Sequence, residues 1–362
     1  AVVVISDSRS ATIREDRLEE LENEESAELG LRAFVGRKGA IVSATFADKP
    51  DAIAERAVAM ARAAPEDPYA GLAEAARHGR LDADLDLFDG TEVSTETLVE
   101  RARRAEHAMF AVPGTTRSGG ADASAATTGI VLVTSNGFTG AEVATRHGLS
   151  VMAVAGDGTR MERDYWFDAR RHLEDMIAPD EVGRIAGERA VRRLEPERVT
   201  TRTGTVVFEP RAATTLVSHL LGAVNGAAVA RGTSFLKDRL GEKVFADGIR
   251  ITDDPAKRRG LGSRPFDGEG IPGEAIDVVA DGILSSWLLD TASARELGLE
   301  TNGRAARGLG APRPGSTNVT LHPGTTPRDR LLAEIGTGLY VTDLIGQGVN
   351  LVTGDYSRGC AG

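Results

Sequence analysis

AATTLVSHLLGAVNGAAVARGTSFLKDRLGEKV, residues 212–244, is the stretch whose reading decides the rest. Leu216, Leu220, Ala223 and Ala227 recur at three- and four-residue steps, the period of a helix with one buried side. Gly222, Ala223, Gly226 and Ala227 keep that side thin, so that another backbone can pack close, and Gly232 is a stop signal. Such a face is a place for chemistry, yet its one imidazole, His219, has no second histidine within a helical turn. A single imidazole does not hold a catalytic zinc, and a helix histidine with a hydrogen-bond partner is the favoured reading. Ser218 and His219 are neighbours in sequence and diverge by about 100° on a helix, and no G-x-S-x-G occurs, so a serine hydrolase is disfavoured.

Working outward, the 362 residues are enough for two domains with their own cores. Aromatic residues make up only 4%, so those cores must be built from Ala, Val, Leu and Ile. A net charge of -11 argues against nucleic acid as a main partner, because phosphate binding needs a basic face. The short cluster Lys257-Arg258-Arg259 reads as a solvated loop. The one cysteine, Cys360, excludes an internal disulfide and fits a reducing cytoplasm. No run approaches the ~18 apolar residues of a membrane span, and AVVVISDSRSATIRED lacks the pattern of a signal peptide. The missing initiator Met and the ending GCAG suggest a chain incomplete at one or both ends.

Residues 1–46 read as short strands, with the acidic run 19–25 as an exposed turn or edge. Asp48 is the expected cap of a helix over 51–64, ended by Pro65 and Pro68. A second helix follows Ser94, with Leu98, Ala102, Ala105 and Met109 inside. GIVLVTSNGF and LSVMAVAGDG return to strand, and neither contains a nucleotide-binding glycine pattern. The charges of MERDYWFDARR (161–171) read as structural pairs. Pro179 starts a helix through Leu194, and PERVTTRTG is the best linker, placing a boundary near Val199. Beyond it, TVVFEP is a strand, and AIDVVADGILSSWLLD is a hairpin turning at Asp281-Gly282. TASARELGL is a short helix, 303–328 a long exposed loop, and LYVTDLIGQGVNLVTGDYS two strands around Gly346-Gln347-Gly348. The fold class is therefore α+β in two domains: a mixed strand and helix domain over 1–198, and a β-rich domain with one central helix over 199–362.

SHLLGAVNG (218–226), RGTSFLKDRLGEKV (231–244), RPFDGEG (264–270), DGILSSWLLDTASARELGL (281–299), TNGRAARG (301–308) and GTGLYVTDLIGQGVNLVTGDYSRGCAG (336–362) resemble the TldD/TldE (PmbA) family, most closely its TldE branch. DPYAGLA (67–73), DLDLFD (84–89) and MERDYWF (161–167) agree as well, so the resemblance spans nearly the whole chain. It implies a helix equivalent to the one that carries a HExxxH zinc motif in the TldD branch. The motif's positions fall near Val217, Ser218 and Gly222, none of which can bind zinc or serve as its base. A cysteine near this end is similar to a third ligand in the zinc-bearing branch; here Cys360 would be an orphan, and a small buried apolar role is favoured.

What the resemblance implies is a non-catalytic subunit with no catalytic, cofactor or metal residues of its own. Zinc is expected in a TldD-like partner subunit, and the two chains together would process or degrade unfolded peptides in the cytoplasm. Asp267 and Glu269 could form a carboxylate site with Asp253, Asp254 or Asp355, but their flanking glycines point to backbone shape and favour a loop at the subunit interface or channel wall. Ser218, His219, Gly222, Asn225, Arg264, Phe266, Asp267, Asn302, Gly303, Gly336 and Gly338 are the expected surface toward peptide or partner. Two rivals stay open: a homodimeric metal-dependent peptidase using His219, Cys360 and carboxylates, and a non-enzymatic modulator.

Overall fold

Three strands, β1 (Val2–Arg14), β2 (Arg17–Val35) and β3 (Lys38–Thr45), replace the short segments read over residues 1–46. The computed structural model describes every residue except Ala47, Arg198 and Gln347. The turn read at 346–348 and the linker and boundary read near 198–199 lie to that extent outside the described residues. After β3 come the helices α1 (Pro50–Ala63) and α2 (Thr95–Phe110), then strands β4 (Thr115–Val133), β5 (Thr139–Ala155) and β6 (Glu162–Arg170), and helix α3 (Pro179–Arg192). The six strands form one sheet, ordered β3-β2-β1-β4-β5-β6 with every neighbour antiparallel.

One face of this sheet presents Ala11, Ile13, Ala121, Ala123, Leu149, Val151 and Ala153 to the inner residues of α2 and α3. Small residues draw the two helices together. A Cβ at Gly183 would come within 1.8 Å of the Ala105 carbonyl oxygen, so only glycine permits this approach. The helix after Ser94 buries the four residues read as its inner face, and the Ser94 hydroxyl accepts the Thr97 N–H at 3.2 Å. Glu106 on the same helix was not foreseen as buried. Its carboxylate accepts the N–H groups of Glu15 (2.8 Å) and Asp16 (2.7 Å), whose positive φ values of 50° and 63° form the β1–β2 turn.

Asp48 does not cap α1; its carboxylate turns back to the Thr45 N–H at 3.1 Å, and Lys49 followed by Pro50 begins the helix. The acidic run 19–25 is not a turn. It lies within β2, paired with β1 on one side, while β3 begins pairing only at Glu28, so the run forms a free, exposed strand edge. Its carboxylates discourage the same edge of a second copy from pairing there, since like charges would face each other.

The second half opens with β7 (Thr205–Phe208), helix α4 (Pro210–Ala223) and helix α5 (Gly226–Ala230). The single helix expected to run toward Gly232 is thus broken at Val224-Asn225. Strands β8 (Ile251–Asp254), β9 (Ile276–Ala280) and β10 (Ile283–Leu284) follow, then α6 (Thr291–Leu297), β11 (Ala305–Ala306), β12 (Arg313–Pro314), β13 (Asn318–Leu321), α7 (Arg328–Ile335), β14 (Gly338–Val341), β15 (Asp343–Ile345) and β16 (Gly359–Ala361). A four-stranded sheet ordered β10-β9-β8-β13 packs Ile251, Val278, Val279 and Leu284 against Leu220, Ala223 and Val224 around α4. The Asp281-Gly282 turn has φ of 49° and 79°, the left-handed pair that a type I′ hairpin requires. The architecture is mixed α+β; besides the central helix α4, the second half holds α6, the short helix read from TASARELGL, and two helices not read from the sequence, α5 and α7.

Residues 303–328 are not an exposed loop. They contain β11, β12 and β13, and Arg304 within them is fully buried. Nor is Lys257-Arg258-Arg259 merely solvated: Arg259 bonds Asp86 (2.6 Å), Glu174 (2.7 Å) and Asp175 (2.9 Å). The DLDLFD segment supplies Asp86 to that anchor and Asp89 to His147 Nε2 at 3.1 Å. The charges of MERDYWFDARR do pair structurally. Buried Asp164 meets Arg211 at 2.8 Å, and Arg189 and Arg193 each at 3.6 Å, which fastens β6 and α3 to the start of α4.

Candidate functional site

Helix α4 begins at Pro210 and buries Ala212, Leu220 and Ala223, while His219 and Gly222 meet Tyr356 and Leu351 of the C-terminal turns. The exposed Ser218 donates its Oγ hydrogen to the Thr214 carbonyl at 2.9 Å, one turn back along its own helix. His219 lies edge-on to Tyr356 with ring centroids 5.6 Å apart, and its Nδ1 is buried without a hydrogen-bond partner. Among the described residues no hydrogen-bond partner reaches Nδ1, and the ring packs against an aromatic side chain. Burial, helped by nearby Arg358, pushes this imidazole below the ordinary histidine pKa. Gly222 faces Leu351, whose Cδ1 would lie 3.3 Å from an added Cβ.

Asn225 explains the break after α4. Its Oδ1 accepts the N–H groups of Ala227 (3.2 Å) and Ala228 (3.3 Å) to cap α5, and its Nδ2 donates to the Pro314 carbonyl at 2.8 Å.

The donor set does not fit zinc. Val217, Ser218 and Gly222 supply no imidazole or carboxylate, and among the described residues no three of His, Cys, Asp and Glu converge in a way that could hold a metal. Cys360 is exposed rather than buried, on β16 opposite Leu344, and borders a cavity of about 540 Å³ with Arg189 and Arg193.

The loop RPFDGEG is largely interior to the chain. Phe266 packs against Phe138, ring centroids 5.1 Å apart, and Asp267 is 2% exposed. Asp267 accepts three backbone N–H groups, those of Glu269 (2.9 Å), Ile271 (3.0 Å) and Ala305 (3.0 Å). Burial nevertheless raises its pKa above the usual carboxylate value. These bonds clamp 267–271 onto β11, so loop shape is what this carboxylate provides. Gly303 is buried, at φ 69°, with Gly273 Cα 2.8 Å from where a Cβ would sit. Asn302 accepts the Leu289 N–H (3.0 Å) and donates to the Trp287 carbonyl (2.8 Å). Phe266, Asp267 and Gly303 are thus framework and not surface, by reason of these packed and hydrogen-bonded positions. Arg264 is half-buried, with Nε and Nη2 lacking hydrogen-bond partners. Gly336 and Gly338 are exposed; the first ends α7 at φ 66° and the second opens β14.

Two buried charge groups were not foreseen. Arg304 and Asp253, both 0% exposed, pair at 3.2 Å. Arg304 also donates to the carbonyls of Asn302 (2.7 Å), Asp253 (3.0 Å) and Glu274 (2.5 Å), while Asp253 accepts the Thr317 N–H at 2.9 Å. The other group borders a cavity of about 610 Å³ between the N-terminal sheet and the 303–312 segment, lined among others by Arg32, Asn136, Glu269 and Arg307. Glu269 accepts the Thr291 N–H (2.8 Å) and hydroxyl (2.6 Å), yet burial, reinforced by Asp267, pushes its pKa up to about 7. The sequence signal for this group is weak: two arginines and a glutamate far apart in the chain.

The chain matches three family models in succession: PmbA/TldA metallopeptidase domain 1 over 1–61, central domain over 88–194 and C-terminal domain over 201–362. Metalloprotease PmbA of Escherichia coli O157:H7 is 37% identical over 98% of this chain and 77% of its own length. A crystallised protein of Bacteroides thetaiotaomicron, proposed to modulate a DNA gyrase, superposes with a TM-score of 0.90 at 26% identity, covering 99% of this chain and 80% of that one. TldE of Thermococcus kodakarensis shares the fold, with a TM-score of 0.80 at 21% identity over 96% of this chain and 79% of its own.

Proposed function

We propose, from the premise that the chain belongs to the PmbA/TldD metallopeptidase family, that it is the non-catalytic subunit of a heteromeric zinc metallopeptidase acting on unfolded peptides in the cytoplasm. The observation that carries this reading is the donor set of α4: valine, serine and glycine stand where a zinc helix needs imidazoles and a carboxylate. Zinc and the attacking water then belong to a TldD-like partner, and this chain contributes wall and positioning. The free backbone edge of β2 over 17–27 supports that role, because pairing to a strand edge binds extended peptide with little demand on sequence. The net charge of -11 supports a protein or peptide partner over nucleic acid, and among the described residues no helix is long and apolar enough to cross a membrane.

The test is reconstitution. This chain and a TldD-like subunit are purified separately, then mixed and assayed on an unstructured peptide. Cleavage only by the mixture, abolished by changing the HExxxH glutamate of the partner, is the expected result. Cleavage by this chain alone contradicts it. The exposed Ser218 and half-buried His219 remain candidates for contact with peptide or partner.

A further inference from the structure

The cavity bordered by Arg32 and Arg307 holds two guanidinium groups that no carboxylate neutralises directly. Arg32, which repels it, and Glu269 are the side-chain charges that act on Arg307, and the Ala1 ammonium at the cavity border lies close as well. Neither arginine forms an ion pair among the described residues, in contrast to Arg304, whose carboxylate lies at 3.2 Å. Arg32 is stacked over Phe34, its guanidinium carbon 4.6 Å from the ring centroid, and Nη2 of Arg307 is buried without a hydrogen-bond partner. Asn136, also lining the cavity, is fixed by its Nδ2, which donates to the Ala73 carbonyl at 2.7 Å, leaving a buried Oδ1 with no donor among the described residues. Leu31, Ala33, Leu72 and Val133 supply an apolar wall between these polar ends. The volume of about 610 Å³ lies within the range of small-ligand sites.

We propose that this cavity binds the C-terminal carboxylate of an extended peptide. Arg32 and Arg307 hold the carboxylate, Asn136 Oδ1 accepts the N–H of the last residue, and the apolar wall takes its side chain. Two guanidinium forks facing one space match a carboxylate through charge-assisted hydrogen bonds. The waiting acceptor on Asn136 calls for a donor, which acetate lacks. A dianion is also the poorer fit, because the carboxylates of Glu269, Asp290 and Asp67 stand close to Arg32. This inference goes beyond the partner-subunit reading and holds or fails without any metallopeptidase present.

The test is calorimetric titration of the full chain with N-acetyl-Ala-Leu, its C-terminal carboxamide, acetate and inorganic phosphate. The free acid should bind at least ~10-fold more tightly than the carboxamide, the loss expected when a charge-assisted pair becomes neutral. Arg307→Gln and Arg32→Gln should each erase that preference, and Arg32→Lys should restore part of it. Thermal unfolding checks that each variant folds; if one does not, the wild-type comparison of acid with carboxamide decides alone. Equal binding of acid and carboxamide, no binding of either, or acetate and phosphate binding as tightly as the peptide acid would each overturn the proposal.

Discussion

Arg304 and Arg307 stand three residues apart on the same segment and are treated in opposite ways. Arg304 is sealed inside, with Asp253 as counter-ion and three carbonyls accepting its hydrogens. Arg307 reaches a cavity, repelled by Arg32 and with Nη2 left without a hydrogen-bond partner. A buried charge that is fully paired acts as framework, since removing either partner strands the other. A charge kept incompletely paired beside open space is a cost to stability, and such costs concentrate where ligands bind.

The sharpest way to break this contrast is to make the same substitution at both positions. Arg304→Ala strands Asp253 in the interior and should destabilise the chain by about 3–5 kcal/mol in urea unfolding. Arg307→Ala should cost less than about 1 kcal/mol, because it relieves repulsion and breaks no ion pair. Equal losses at the two sites would erase the distinction.

A smaller effect sharpens it through pH. In the folded chain Glu269 holds its proton up to about pH 7, against 4.5 for the free group. The folded state therefore binds more protons than the unfolded state in that window. The stabilisation is fully present below pH 4.5 and is lost as pH rises through about 7. The rise from 4.5 to about 7 bounds the change at roughly 3 kcal/mol. Glu269→Gln should flatten this part of the stability profile, measured by urea unfolding at about pH 5 and pH 8. Asp267 retains its own raised pKa, so some slope in the same direction persists.

The first half of the chain was the more legible, because its signals are periodic. Leu98, Ala102, Ala105 and Met109 mark one helix face by spacing alone, and all four are buried. Strand length was harder to read. TTRSGGADASAATTGIVLV, the whole of β4, is mostly small and polar, and only its last residues carry the apolar signature of a strand. Helix α7 went unread for a related reason, since RDRLLAEI buries no residue and so shows no buried face. In the second half, composition misled. Glycine, proline, arginine and threonine over 303–328 describe an exposed loop, yet Arg304 there organises the interior through a carboxylate 51 residues away. Nothing local in a sequence distinguishes an arginine with a buried counter-ion from one in water. The same holds for Glu106, which sits among surface charges on α2 and closes a turn 90 residues earlier. The donor set of α4 is legible for a different reason: residue identity is the one property a sequence states outright.

That donor set is the central claim, and the zinc content of the separated chain tests it most directly. The chain is expressed with a TldD-like subunit in zinc-supplemented medium, the two are resolved, and each is measured by plasma mass spectrometry. The account predicts zinc travelling with the partner and far less than one equivalent with this chain. A full equivalent retained by this polypeptide alone would contradict it.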